Sequence, residues 1–171
     1  MYIPPEKLNR GLALSSSKGF TLVEALVALV VLSVALGPAL VLTSNISNTA
    51  AAVKNNLIAA NLAQEGVEVI RGIRDTNWFL GNAFDNGLTD GTYRVEWDST
   101  SVIGLGSNPP IKETNGLYNY SGSGMDTIFK RTIAILKVNA SELRVISEVT
   151  WTERGERAKS IKAESHLFNW K

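Results

Sequence analysis

The sequence predicts an α+β protein: a long N-terminal helix, half membrane-spanning and half amphipathic, packed on an antiparallel sheet of about four strands. Three observations carry this. Residues 25–42 form a run of 18 residues without a charge. Residues 44–75 contain no proline and place apolar side chains at three- and four-residue spacing. From Thr76 onward, turn residues separate alternating, β-branched runs.

The apolar run comes first. At ~1.5 Å per residue it spans about 27 Å, and with residues 20–23 in front it can cross a ~30 Å hydrocarbon core. Lys7, Arg10 and Lys18 precede it, and the next charge after it is Lys54. That bias puts residues 1–19 in the cytoplasm and the chain from Thr43 onward on the other side. Gly37-Pro38 interrupts the run. Pro38 lacks an N–H and its ring crowds the carbonyl of Val34, so a kink or loosening of the helix is expected there. One carboxylate, Glu24, stands at the front of the run. An acid at the bilayer centre costs on the order of 2.5–3.5 kcal/mol, less near an interface, and something must offset it.

Three readings of this segment compete. A secretory signal peptide needs a short apolar core followed by a small-residue cleavage site. A plain signal anchor explains the span and its orientation but not Glu24. The third reading sets the processing point at Gly19-Phe20, in front of the apolar run.

Lys18-Gly19-Phe20-Thr21-Leu22-Val23-Glu24 and the apolar helix behind it resemble the class III signal of type IV prepilins and pseudopilins. The resemblance covers Lys18 to about Asp75 and implies the pilin fold. It implies cleavage after Gly19 by a prepilin peptidase on the cytoplasmic side and N-methylation of the new amino group of Phe20. It implies assembly with other pilin or pseudopilin subunits on an inner-membrane platform, and a head that ends in an extracellular or periplasmic filament. It also gives Glu24 a partner, the freed amine of Phe20 on a neighbouring subunit. Such a buried pair sets register, and removing one member leaves an unpaired charge at roughly 3–5 kcal/mol. Pilin helices usually carry a helix-breaking residue near Gly37-Pro38, where the segment can melt on assembly; here it comes a few residues earlier.

Residues 44–75 read as an amphipathic helix, with Ile46, Ala50, Val53, Leu57, Ala60, Gln64 and Val67 as the face to be covered. Leu62, Val69, Ile70 and Ile73 widen that stripe. Joined to the membrane segment, residues 20–75 make one helix; a break at Pro38 or near Thr43 would make two. In the head, residues 76–171, strands are expected over 91–98, 128–138, 143–151 and 158–170. Tyr93, Val95 and Trp97 share one face of the first. Leu143, Val145, Ser147, Val149 and Trp151 share one face of the third, and Ile161, Ala163, Ser165 and Leu167 one face of the fourth. Residues 99–124 read as a long loop with room for a short strand, and Arg154-Gly155 as a tight turn. A second, shorter resemblance, carried by Arg131-Thr132-Ile133, Val149-Thr150-Trp151, Gly155, Arg157, Leu167 and Trp170, is to minor pilins of the PilV kind and the type II secretion minor pseudopilin I.

Composition limits the chemistry. Of 17 bases and 16 acids, three and two precede Thr43, leaving 14 of each downstream. That balance argues against nucleic acid as a partner, and so against a competence-type DNA-uptake role, unless Arg131, Lys137, Arg144 and Lys159 cluster on the surface. Without cysteine there is no disulfide, thiolate or lipid-modified anchor. His166, the sole histidine, has no recognisable catalytic neighbour and reads as an exposed strand residue. Asp85, Asn86 and Asp90 lie in a glycine-bearing loop with oxygen ligands for Ca²⁺, but their spacing fits a hydrogen-bonded turn better. Trp78-Phe79 and Trp97 read as core aromatics. No catalytic residue, metal or cofactor is expected. A single-pass anchor presenting a small binding domain that never polymerises is the alternative to the filament subunit.

Overall fold

The computed structural model describes residues 19–153 and 157–170. The leader before Gly19 and the Arg154-Gly155 turn lie outside the described residues. Helix α1 runs unbroken over Leu22–Phe79, with Pro38 inside it, so the continuous helix prevails over two separate ones. It ends four residues later than expected. Gly81, at φ 74°, sits just past the end, where the left-handed conformation suits glycine. The chain divides into two compact units, residues 1–46 and 47–171.

In the first unit α1 is apolar and exposed. Among the described residues it holds the one stretch long and apolar enough to cross a membrane, and none of that stretch is buried. The hydroxyls of Ser33 and Thr43 donate to the carbonyls of Val30 and Ala39, at 2.8 and 2.9 Å. Bonding within the helix in this way is what a hydrocarbon environment demands. Helical structure continues on both sides of Pro38, so the missing N–H does not end it in the single chain.

In the second unit the sheet is antiparallel and five-stranded. Its strands are β1 (Gly91–Arg94), β2 (Ile103–Gly104), β6 (Lys130–Asn139), β7 (Glu142–Glu153) and β8 (Arg157–Phe168), in the order β2-β1-β6-β7-β8. The last three form the expected meander. Every inward residue named for β7 is buried, and Leu143 pairs with Leu167 and Val149 with Ile161 across to β8. The first strand stops at Arg94, short of the expected Asp98. There the Glu96 N–H turns to Ser99 Oγ at 2.7 Å and Trp97 is 51% exposed, so Trp97 is not a core residue.

The long loop holds more order than expected. β3 (Lys112–Thr114), β4 (Leu117–Asn119) and β5 (Met125–Asp126) build a second, three-stranded sheet. Its hairpin turns on Asn115-Gly116, at φ 52° and 81°. Two consecutive positive φ values make the type I′ geometry that Asn-Gly favours.

The helix presents a different face to the sheet than its large side chains suggest. Ala59, Leu62, Ala63, Gly66, Val67, Ile70 and Ile73 are buried, whereas Ile46, Val53 and Leu57 are 66%, 60% and 62% exposed. Small residues decide the matter, because they let helix and sheet approach closely. A Cβ on Gly66 would lie 2.5 Å from Ser147 Oγ and 2.6 Å from Ile133 Cδ1. Beside this contact Arg131, 1% exposed, joins three elements. Its Nη1 donates to the Leu62 carbonyl and to Glu65 Oε1, both at 2.9 Å. Its Nη2 donates to the Val95 carbonyl at 2.6 Å. A buried guanidinium is tolerable because both Nη groups meet carbonyl or carboxylate acceptors, although its Nε has no partner.

Candidate functional site

The candidate site is the start of α1. Thr21 caps the helix: its Oγ1 accepts the N–H of Glu24 at 3.2 Å, and its carbonyl accepts that of Ala25 at 3.1 Å. Thr-x-x-Glu is the capping-box spacing, a signal present in the sequence that adds a local role for both residues. Glu24 also places its charge in the first turn, where the helix dipole favours an anion. Its carboxylate makes no ion pair among the described residues, so it is available to a group from outside the chain. Gly19 is exposed and Phe20 is 74% exposed, both ahead of the first helical turn. Backbone reach is therefore open at Gly19-Phe20, as a processing enzyme requires. In the uncut chain the Phe20 nitrogen is a peptide nitrogen, so any ion pair to Glu24 must follow cleavage.

The structure separates the remaining candidates. Asp85 is ion-paired to the Lys137 ammonium, and Asp90 accepts the Lys137 N–H. The Asn86 carbonyl accepts Asn77 Nδ2 at 2.8 Å, and Leu88 N–H bonds the Asp85 carbonyl at 2.9 Å. These groups close a hydrogen-bonded turn, and no cluster of three potential metal ligands exists among the described residues. His166 is exposed on β8, with Nδ1 2.6 Å from Glu142 and Nε2 3.4 Å from Glu164. Arg144 holds Glu164 in a two-bond pair at 2.6 and 3.0 Å. Those bonds, with the charge of Arg144, lower the Glu164 pKa below its usual range. Trp78 is half-buried and meets Trp170 edge-on at 4.7 Å, while Phe79 is exposed rather than in the core.

The four cations that might have formed a basic patch do not. Arg131 is buried, Lys137 is paired to Asp85, and Arg144 is paired to Glu164, which leaves only Lys159 of the four exposed and unpaired among the described residues. Tyr120 packs over the same region. Its hydroxyl donates to the Arg131 carbonyl at 3.2 Å, and burial raises its pKa against the opposing charge of Arg131.

Comparison with known proteins agrees with the N-terminal geometry. A family described as the prokaryotic N-terminal methylation motif matches residues 14–40. No curated protein and no solved structure matches the chain. The matched segment contains the Gly19-Phe20 junction, the capped start of α1 and Glu24. The match covers 27 of the 171 residues and supports a class III signal, as in type IV prepilins and pseudopilins, at this N-terminal segment.

Proposed function

We propose that this membrane-anchored pilin-type protein is a minor subunit of a type IV pilus or a type II secretion-like pseudopilus, of the PilV or pseudopilin I kind. A prepilin peptidase cuts after Gly19 and the Phe20 amine is methylated. Residues 1–19 lie in the cytoplasm, residues 22–42 cross the inner membrane, and the head, residues 76–171, lies outside. Assembly with other pilin subunits on an inner-membrane platform then proceeds by helix bundling, with Glu24 of one subunit neutralising the Phe20 ammonium of the next. Its role is structural, as in the rest of its family, and not catalytic.

The observation that carries this is the exposed apolar series Ile46, Val53 and Leu57 on the helix that begins with the methylation motif. An apolar stripe left over after the head has packed calls for other helices, which a bundle supplies. Pro38 supplies a point where the helix can loosen when the bundle forms, since the Val34 carbonyl has no amide donor there.

Mass spectrometry of the protein from its native membrane tests the reading. The expected N-terminus is N-methyl-Phe20. An intact Met1 terminus would reduce the protein to an anchored binding domain.

A further inference from the structure

The two edges of the head carry opposite charge. At one, beyond β1, a groove of about 410 Å³ lies between α1 and residues 97–100. Glu65, Glu68 and Asp98 line it, together with Trp97 and the bare backbone at Gly72, and no cation does. Glu65 and Glu68 are paired to Arg131 and Arg71, but Asp98 has no cation within ion-pair distance among the described residues. A Cβ on Gly72 would meet nothing within 4 Å, so the groove floor is open. An aromatic ring, an apolar floor and an unpaired carboxylate together suit the stem and ammonium of a lysine.

At the other edge stands β8, 12 residues long and paired only to β7. Its first half carries Arg157, Lys159 and Lys162, all exposed. Arg157 and Lys159 have no carboxylate partner among the described residues, and Lys162 reaches Glu148 only at 3.4 Å. The opposite edge strand, β2, is two residues long and too short for a partner to add a strand there.

We propose that the basic half of β8 on one copy of this chain docks into the Trp97–Asp98 groove of a second copy. The inference rests on the subunit reading above, because a shared membrane holds all copies the same way up. Because the two edges are different surfaces, their contact is head to tail, and such a contact propagates instead of closing a dimer. Charge complementarity between the two edges selects the partner and its orientation.

Since the chain has no cysteine, the contact can be trapped cleanly. The full chain carrying both Thr100→Cys and Ser160→Cys, exposed positions beside the two charged groups, is oxidised in membranes that contain the processing peptidase and is expected to give a ladder of dimers and higher species. Each single variant is expected to stay monomeric, because a head-to-tail contact brings neither position to its own copy. On the same double-cysteine background, Asp98→Lys should reduce the ladder about tenfold or more as attraction becomes like-charge repulsion. Adding Lys162→Glu should restore it. A ladder indifferent to charge reversal, dimers from a single variant, cross-links only to other proteins, or monomers throughout would each overturn the proposal. The N-terminus of the same sample is read by mass spectrometry. A Phe20 terminus without a ladder rejects the docking alone, whereas an intact Met1 rejects the subunit reading.

Discussion

The same substitution, glycine to alanine, should have opposite effects at two positions six residues apart on α1. At Gly66 the new Cβ would lie 2.5 Å from Ser147 Oγ, 2.6 Å from Ile133 Cδ1 and 3.2 Å from Arg131 Cδ. Ordinary contact begins near 3.4 Å, so helix and sheet must part by about 1 Å or their side chains must leave their rotamers. Overpacking of this kind costs about 1–3 kcal/mol. Parting also stretches the Arg131 bond to the Leu62 carbonyl from 2.9 Å towards the limit of a hydrogen bond, at a cost of about 1 kcal/mol or more. Alanine returns about 1 kcal/mol of helix propensity. The net loss is about 1–3 kcal/mol, or roughly 4–12 °C in Tm for a head of this size. At Gly72 the added methyl meets nothing within 4 Å, and only the propensity gain remains, raising Tm by about 4 °C. Thermal unfolding of the detergent-solubilised full chain, followed by near-UV circular dichroism, reads both. Equal shifts at the two positions, or a Tm gain at Gly66, would refute the close-approach reasoning.

Three further outcomes are expected. Arg131→Ala leaves the Leu62 and Val95 carbonyls and Glu65 without their donor, and denaturant titration should show a loss of about 3–5 kcal/mol. Glu24→Ala removes the proposed register contact but not the Gly19-Phe20 junction, so on the proposed function mass spectrometry should still find an N-terminus at Phe20 while sheared-filament fractions lose the protein. Arg144→Ala should raise the Glu164 pKa towards its ordinary 4.5, measured by carboxylate NMR titration. Because the folded pKa is depressed, the pair stabilises the fold above that ordinary value, and its contribution is lost as pH falls through the lower, folded value.

Legibility in the sequence followed how much information each side chain carries. The β7 and β8 faces were readable because alternation has a fixed period of two, and Leu143, Val145, Val149 and Trp151 all turned inward. The helix face was readable in its C-terminal half, where Leu62, Val67, Ile70 and Ile73 are buried as expected, but not before it, because residues 46–60 are apolar on more than one side. Hydropathy selected Ile46, Val53 and Leu57, while the sheet took Ala59, Ala63 and Gly66 for their small size. Burial of Arg131 was equally invisible, since it depends on acceptors at Leu62, Glu65 and Val95, far off in the chain. Asn115-Gly116 was a legible hairpin signal inside a stretch whose glycine and serine content suggested only a loop. At the candidate site, Gly19, Phe20 and Glu24 form one contiguous motif and needed no tertiary information. The Thr21 cap was equally local, and its Thr-x-x-Glu spacing stood within that motif.

The Arg131 clamp also sets the order of events after synthesis. It joins residues 69 and 66 positions apart, Leu62 and Glu65 to Arg131, and β6 beside it pairs along its length with β7, which ends at Glu153. The head therefore closes only when nearly the whole chain is available, and such non-local pairing is slow compared with forming a helix. The Gly19-Phe20 junction needs none of this. With the cleavage proposed above, leader removal and head folding would run on separate clocks, and a chain cut at its N-terminus could still be waiting for its last strands.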